Sequence, residues 1–222
     1  MNVPLTTKEA KGLVVECLGA RLGPEFAFKK TDECFLRRTA AGADLLFVGF
    51  WAYPPKFVFS VTPAVRIDEI ETLYRQVFAP QLPTGASLSK SVTVLTQLWR
   101  LDGPTRPEQD VPLPGSGSPY YFPFTDRASL QGVVDSLGSR LEGQVARFYG
   151  GLRSTAEAHA ALNLEGLDTS NSRIFHGIVA AYLADREDWR SYAARYRDEL
   201  TQWPAPDQER FGCAVERLEA LG

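Results

Sequence analysis

The chain has 222 residues, of which 44% are hydrophobic, enough to build one sizeable core or one domain with a helical extension. A net charge of −3 excludes a strongly basic coat for nucleic acid. The longest apolar run, residues 45–53, is far too short for a membrane span.

In chain order, the spacing of Leu13, Val14, Cys17 and Leu18 predicts a first helix over Thr7–Leu22, capped by Thr6 or Thr7 and stopped by Gly23-Pro24. Four strands should follow in quick succession. Phe26 and Phe28 alternate with small or charged residues, residues 34–39 make a short strand, and residues 41–44 read as a turn. Residues 45–53 (LLFVGFWAY) are apolar on both faces, the pattern of a central strand covered on both sides. After a turn at residues 54–56, Phe57, Phe59, Val61 and Val65 alternate with Ser60 and Thr62, as a half-buried strand does. Such short connections imply antiparallel hairpins.

A second helix is expected over residues 67–78, with Asp68, Glu69 and Glu71 in its first turn, where the helix dipole favours negative charge. Residues 80–91 are loop-like, and residues 91–101 are a fifth strand candidate. Residues 102–118 hold four prolines and three glycines and read as a flexible loop. Residues 120–124 suit an edge strand, because Pro123 bars the sheet centre. From Asp126 the period becomes helical. Leu130, Val133, Val134, Leu137, Leu141, Val145 and Phe148 mark a long helix over residues 127–149, and four further helices follow to the end.

The expected fold is therefore α+β. An antiparallel sheet of about five or six strands, packed with helices, occupies residues 1–124, and an all-helical part over residues 125–222 packs on it as one compact unit. Charge divides along the same line. Residues 1–101 carry 12 Lys+Arg against 9 Asp+Glu, whereas residues 102–222 carry 12 against 18. An acidic helical half argues against a nucleic-acid partner there and suits a basic protein by electrostatic steering.

Motifs for chemistry are missing. His159 and His176 have no second ligand at a chelating spacing, so no metal or other cofactor is implied. The stretch from Gly85 to Ser91 resembles a phosphate-binding loop but has Ser89 where the glycine before the lysine must stand. No GxSxG elbow marks a nucleophilic serine. Cys17, Cys34 and Cys213 form neither a disulfide framework nor a metal set, and they read as thiols on apolar faces of a protein from a reducing compartment. The first eleven residues contain no apolar stretch long enough for a signal peptide, which points to the cytoplasm. Lys29-Lys30 and Arg37-Arg38 could form one basic patch; the plainer account is an edge kept soluble by charge.

A helix followed by FAFKK, CFLRR, a long apolar strand and an alternating strand, with AAYLADREDWRSYAARYRDEL near the end, resembles small bacterial immunity proteins and similar uncharacterised bacterial families. That resemblance implies binding to a partner protein, a toxin, and brings no catalytic residues. The sequence thus suggests a non-enzymatic protein-binding protein whose anchors are Trp51, Tyr53, Trp99, Tyr120 and Tyr121. Two alternatives stand beside it. One is an enzyme whose site gathers dispersed residues, with His176 or Arg66 in a pocket of carboxylates. The other is a homo-oligomer joined through the sheet edge or the last helix.

Overall fold

The computed structural model describes residues 5–78, 91–102, 120–168, 172–185 and 187–222. The chain is α+β, as its pattern of periods predicts. Helix α1 (Thr7–Leu22) opens with a capping box, in which Thr6 accepts from the Glu9 amide and the Glu9 carboxylate accepts from the Thr6 amide. Then come β1 (Ala27–Lys29), β2 (Cys34–Arg38), β3 (Gly42–Tyr53), β4 (Lys56–Ile67), α2 (Asp68–Phe78), β5 (Val94–Leu95), α3 (Leu98–Asp102) and β6 (Phe122–Phe124). The rest is helical: α4 (Arg127–Arg140), a π-helical turn (Leu141–Val145), α5 (Ala146–Gly150), α6 (Thr155–Asn163), α7 (Arg173–Ala184), α8 (Trp189–Leu200) and α9 (Ala205–Leu221).

The strands form one six-stranded sheet in the order β1-β2-β3-β4-β5, with β6 also on β4. Cys34 pairs with Phe47 and Arg38 with Ala43, so β2 and β3 are antiparallel. β3 lies mid-sheet, where its apolar run placed it. The segment expected as a fifth strand over 91–101 keeps only two strand residues and then turns helical. Leu98 and Trp99 satisfy either period in so short a stretch, so alternation alone could not separate them. Of the loop-like segments, residues 80–90 and 103–118 lie outside the described residues.

Two compact units emerge, and neither is continuous in sequence. The first takes in the described residues of Met1–Thr39, Ala43–Ala64 and Thr96–Gly151. By alternation, Phe35, Leu46, Val48, Phe57, Phe59, Phe122 and Phe124 share one face of its strands, and all are buried. α1 lies on that face, with Phe35 against Gly19, and α4 packs beside α1 and on β6. The Tyr149 hydroxyl donates to the Leu45 carbonyl at 2.7 Å. Arg37 also turns toward this core. It donates to the fully buried Asp44 through Nε at 3.0 Å and Nη2 at 2.7 Å, and it stacks over Phe26. Arg37 and Arg38 therefore point to opposite faces, so Arg37 takes no part in the basic patch considered from the sequence.

The second unit comprises Ala40–Gly42 and the described residues of Val65–Leu95 and Leu152–Gly222. Its centre is α7, in which every residue from Ile174 to Tyr182 is buried. A helix apolar on all sides belongs inside a bundle. α2, α6 and α8 all pack on it. Asn163 ties three helices together. Its Nδ2 donates to Nδ1 of His159 at 2.7 Å and to the Gly177 carbonyl at 3.0 Å, while its Oδ1 accepts from the Tyr196 hydroxyl. That closeness requires glycine at 177, because a Cβ there would overlap the Tyr196 oxygen and lie 2.9 Å from Asn163 Oδ1. Gly177→Ala should therefore lower unfolding free energy by about 2 kcal/mol. Urea denaturation followed by circular dichroism measures this, and an unchanged midpoint would show that the helices have slack.

Candidate functional site: a half-open aromatic face

The long strand β3 is not covered throughout on both sides, as its apolar run had suggested. Residues 42–46 are buried on both faces, but from Phe47 onward the face opposite the core is only half-buried. Phe47, Gly49, Trp51 and Tyr53 follow one another on that face, and Tyr53 at its end is 37% exposed. Trp51 is held in two ways. Its ring lies over Gly49, where an added Cβ would sit 2.7 Å from the ring and 2.8 Å from Ser60 Oγ. It also meets Tyr121 edge-to-face, with centroids 5.8 Å apart. Gly49 thus permits the flat seat, and Tyr121, just before β6, closes its side.

Of the five anchors expected from the sequence, three gather here: Trp51, Tyr53 and Tyr121. Tyr120 belongs to a different cluster. The Arg140 guanidinium stands 5.5 Å from its ring centroid, and Arg140 in turn lies 3.4 Å from Asp102. Burial, and after it the Asp102 carboxylate, push the Tyr120 phenol above its usual value, against the pull of Arg140. Trp99 is half-buried on α3 and, among the described residues, makes no ring contact with the other four. Phe47 is the member of the face that sequence reasoning missed. Its place in the same alternating register as Trp51 was the available signal.

Cations lie on the same side of the sheet, with Arg38 at the closed end of β3, opposite Ala43. By the same alternation Lys29, Arg38 and Lys56 fall on this side of β1, β2 and β4, all exposed, together with half-buried Ser60 and Thr62. No Asp or Glu occupies a strand position on this side of the first unit.

A second polar centre lies within the second unit. Glu71, which the dipole argument had set among surface acids, turns inward and is fully buried. Its Oε1 is 3.2 Å from Nε2 of His176, a close polar contact rather than an aligned hydrogen bond. Thr93 donates to Oε1 at 2.9 Å and Ser91 donates to Oε2. The other His176 nitrogen faces the Ser172 carbonyl at 3.3 Å, and the ring stacks on Tyr74 at 4.2 Å. Burial pushes the Glu71 carboxyl up, but His176 and the two hydroxyls outweigh it and hold it below its ordinary value. His176 is 3% exposed, so a substrate in solution reaches neither partner. Arg66, the other residue considered for a dispersed site, pairs with Asp68 at 2.7 Å.

Cys17 and Cys34 are buried as expected, whereas Cys213 is exposed. The stripe of α9 runs through Phe211, Ala214, Val215 and Leu218, and Cys213 lies off it. Among the described residues no group of three or more His, Cys, Asp or Glu is placed to hold a metal ion, and no helix is long and apolar enough to cross a membrane.

No protein-family model matches the chain, and no curated protein or solved structure matches it significantly.

Because the Glu71 carboxyl is depressed in the folded state, its stabilisation is complete above the unfolded value of about 4.3 and is lost as pH falls through the folded one. Glu71→Gln should flatten the loss of stability between about pH 5 and pH 3 and cost about 3 kcal/mol at neutral pH. Urea titrations across that range measure both effects, and an unaltered acid slope would contradict the assignment.

Proposed function

We propose that the chain acts by binding another protein through the half-open face of β3, with Trp51 as the central anchor. The observation that carries this reading is the fixed seat of Trp51. A half-exposed indole already pinned by Gly49 and Tyr121 loses little side-chain freedom when a partner covers it. Aromatic anchors of this kind dominate binding energy at protein interfaces. Phe47 and Tyr53 extend the apolar area along the strand, and Lys29, Arg38 and Lys56 favour an acidic surround on the partner. In the narrower form that the resemblance to immunity proteins suggests, the partner is a toxin whose working surface the face covers.

A second reading rests on the same face. Rings on a sheet flanked by cations also suit single-stranded nucleic acid, whose bases stack on aromatic side chains. Three cations neutralise few phosphates, so this reading ranks behind a protein partner.

Affinity capture with the tagged full chain from the cells that encode it tests both readings. A stoichiometric protein partner should be retained by the native chain and weakened by about 2 kcal/mol in Trp51→Ala. Cys213→Ser, an exposed site in the other unit, should leave capture unchanged. Oligonucleotide in place of protein, bound with a steep salt dependence, selects the second reading. Capture that ignores the Trp51 substitution overturns both.

A further inference from the structure

The second unit contains a cleft of about 570 Å³ between the start of α7 and the α8–α9 turn, a volume suited to a small molecule. Tyr74, Phe175 and Trp203 supply its aromatic walls, and Asp207 and Arg210 enter it from α9.

Arg210 is unusually placed. Its guanidinium lies 4.7 Å from the Phe175 ring centroid and 5.3 Å from that of Phe78, two rings that meet edge-to-face on the same side of it. Of its five possible donors, Nη2 meets the Tyr74 hydroxyl at 2.8 Å, and Nε is buried with no hydrogen-bond partner. Among the described residues no carboxylate pairs with it, not even Asp207 one turn away. A half-buried guanidinium with a buried, unpartnered Nε keeps donors free for a bound carboxylate, which it can meet with a bidentate contact. Asp207 has a partial explanation in the helix dipole, since it stands in the first turn of α9. The dipole does not explain why it lines the cleft beside Arg210. The two opposite charges, set apart in an open cleft beside aromatic rings, match a ligand bearing both an anion and a cation.

We propose that this cleft binds a free α-amino acid with an aromatic side chain: Arg210 takes the carboxylate, Asp207 the ammonium, and the rings of Tyr74, Phe175 and Trp203 the side chain. The cleft belongs to the second unit, and this site does not depend on the function proposed for the sheet face.

Calorimetric titration of the full chain with three probes tests the assignment. L-phenylalanine carries both charges, 3-phenylpropionate lacks the ammonium, and 2-phenylethylamine lacks the carboxylate. Saturable binding is expected for L-phenylalanine, with each of the other two about tenfold or more weaker. Asp207→Asn should bring L-phenylalanine down to the affinity of 3-phenylpropionate. Arg210→Gln should abolish binding, with circular dichroism confirming the fold. If Arg210→Gln does not fold, the Asp207→Asn comparison still decides. Absence of saturable heat with L-phenylalanine up to about 10 mM overturns the proposal, and so does equal binding of 3-phenylpropionate.

Discussion

Helix α7 has no side facing water from Ile174 to Tyr182, so its one histidine there, His176, must find its partner inside the protein. Glu71 is that partner, and the arrangement of the second unit follows from the need to satisfy both. α2 has to present Glu71 at a fixed height, with Tyr74 one turn on to stack against the imidazole. The segment before β5 has to bring Ser91 and Thr93 to the carboxylate, and the Thr93 hydroxyl also accepts from the Ile67 amide at the end of β4. α9 closes the arrangement through Arg210 on Tyr74 and Arg217 on the Val77 carbonyl. Removing either side chain would leave the other buried without its polar partner, which is why such pairs tolerate single substitutions poorly.

The first unit solves a different problem. Its sheet needs one face to make a core, and the phenylalanines of β2, β4 and β6 supply it against α1 and α4. The other face closes near Leu45 and then opens, leaving rings that are fixed but not covered. The groups that suggest catalysis in this chain, a carboxylate beside a histidine, are sealed and structural. On the open face of this sheet the accessible groups are aromatic and cationic.

Much of this was legible in the sequence because local rules agreed with the fold. Thr6, one of the two caps expected for α1, takes that place, and α4 begins after Asp126, where the period turned helical. The both-faced apolar run marked the middle strand, and Pro54-Pro55 marked its hairpin. What was hidden depended on distant pairing. Glu71 has a sufficient local explanation in its first-turn position, and its true partner lies far along the chain. The one clue was that it interrupts the buried stripe of Ile70, Tyr74, Val77 and Phe78. The Trp51 seat was half legible. The rings were visible, but that Gly49 makes room for one of them depends on the register of β3 against β4. The cleft at Arg210 could not be read at all, since its walls come from α2, α7, α9 and the turn between α8 and α9.

The central claim is that Glu71 and His176 act as one buried, coupled pair that holds α7 in place rather than as independent or catalytic groups. A double-mutant cycle on the unfolding free energy of Glu71→Gln, His176→Gln and the pair tests it most directly. Coupling of about 1–3 kcal/mol is predicted, the range for side chains in direct contact. Substitutions that add within about 0.5 kcal/mol would contradict it.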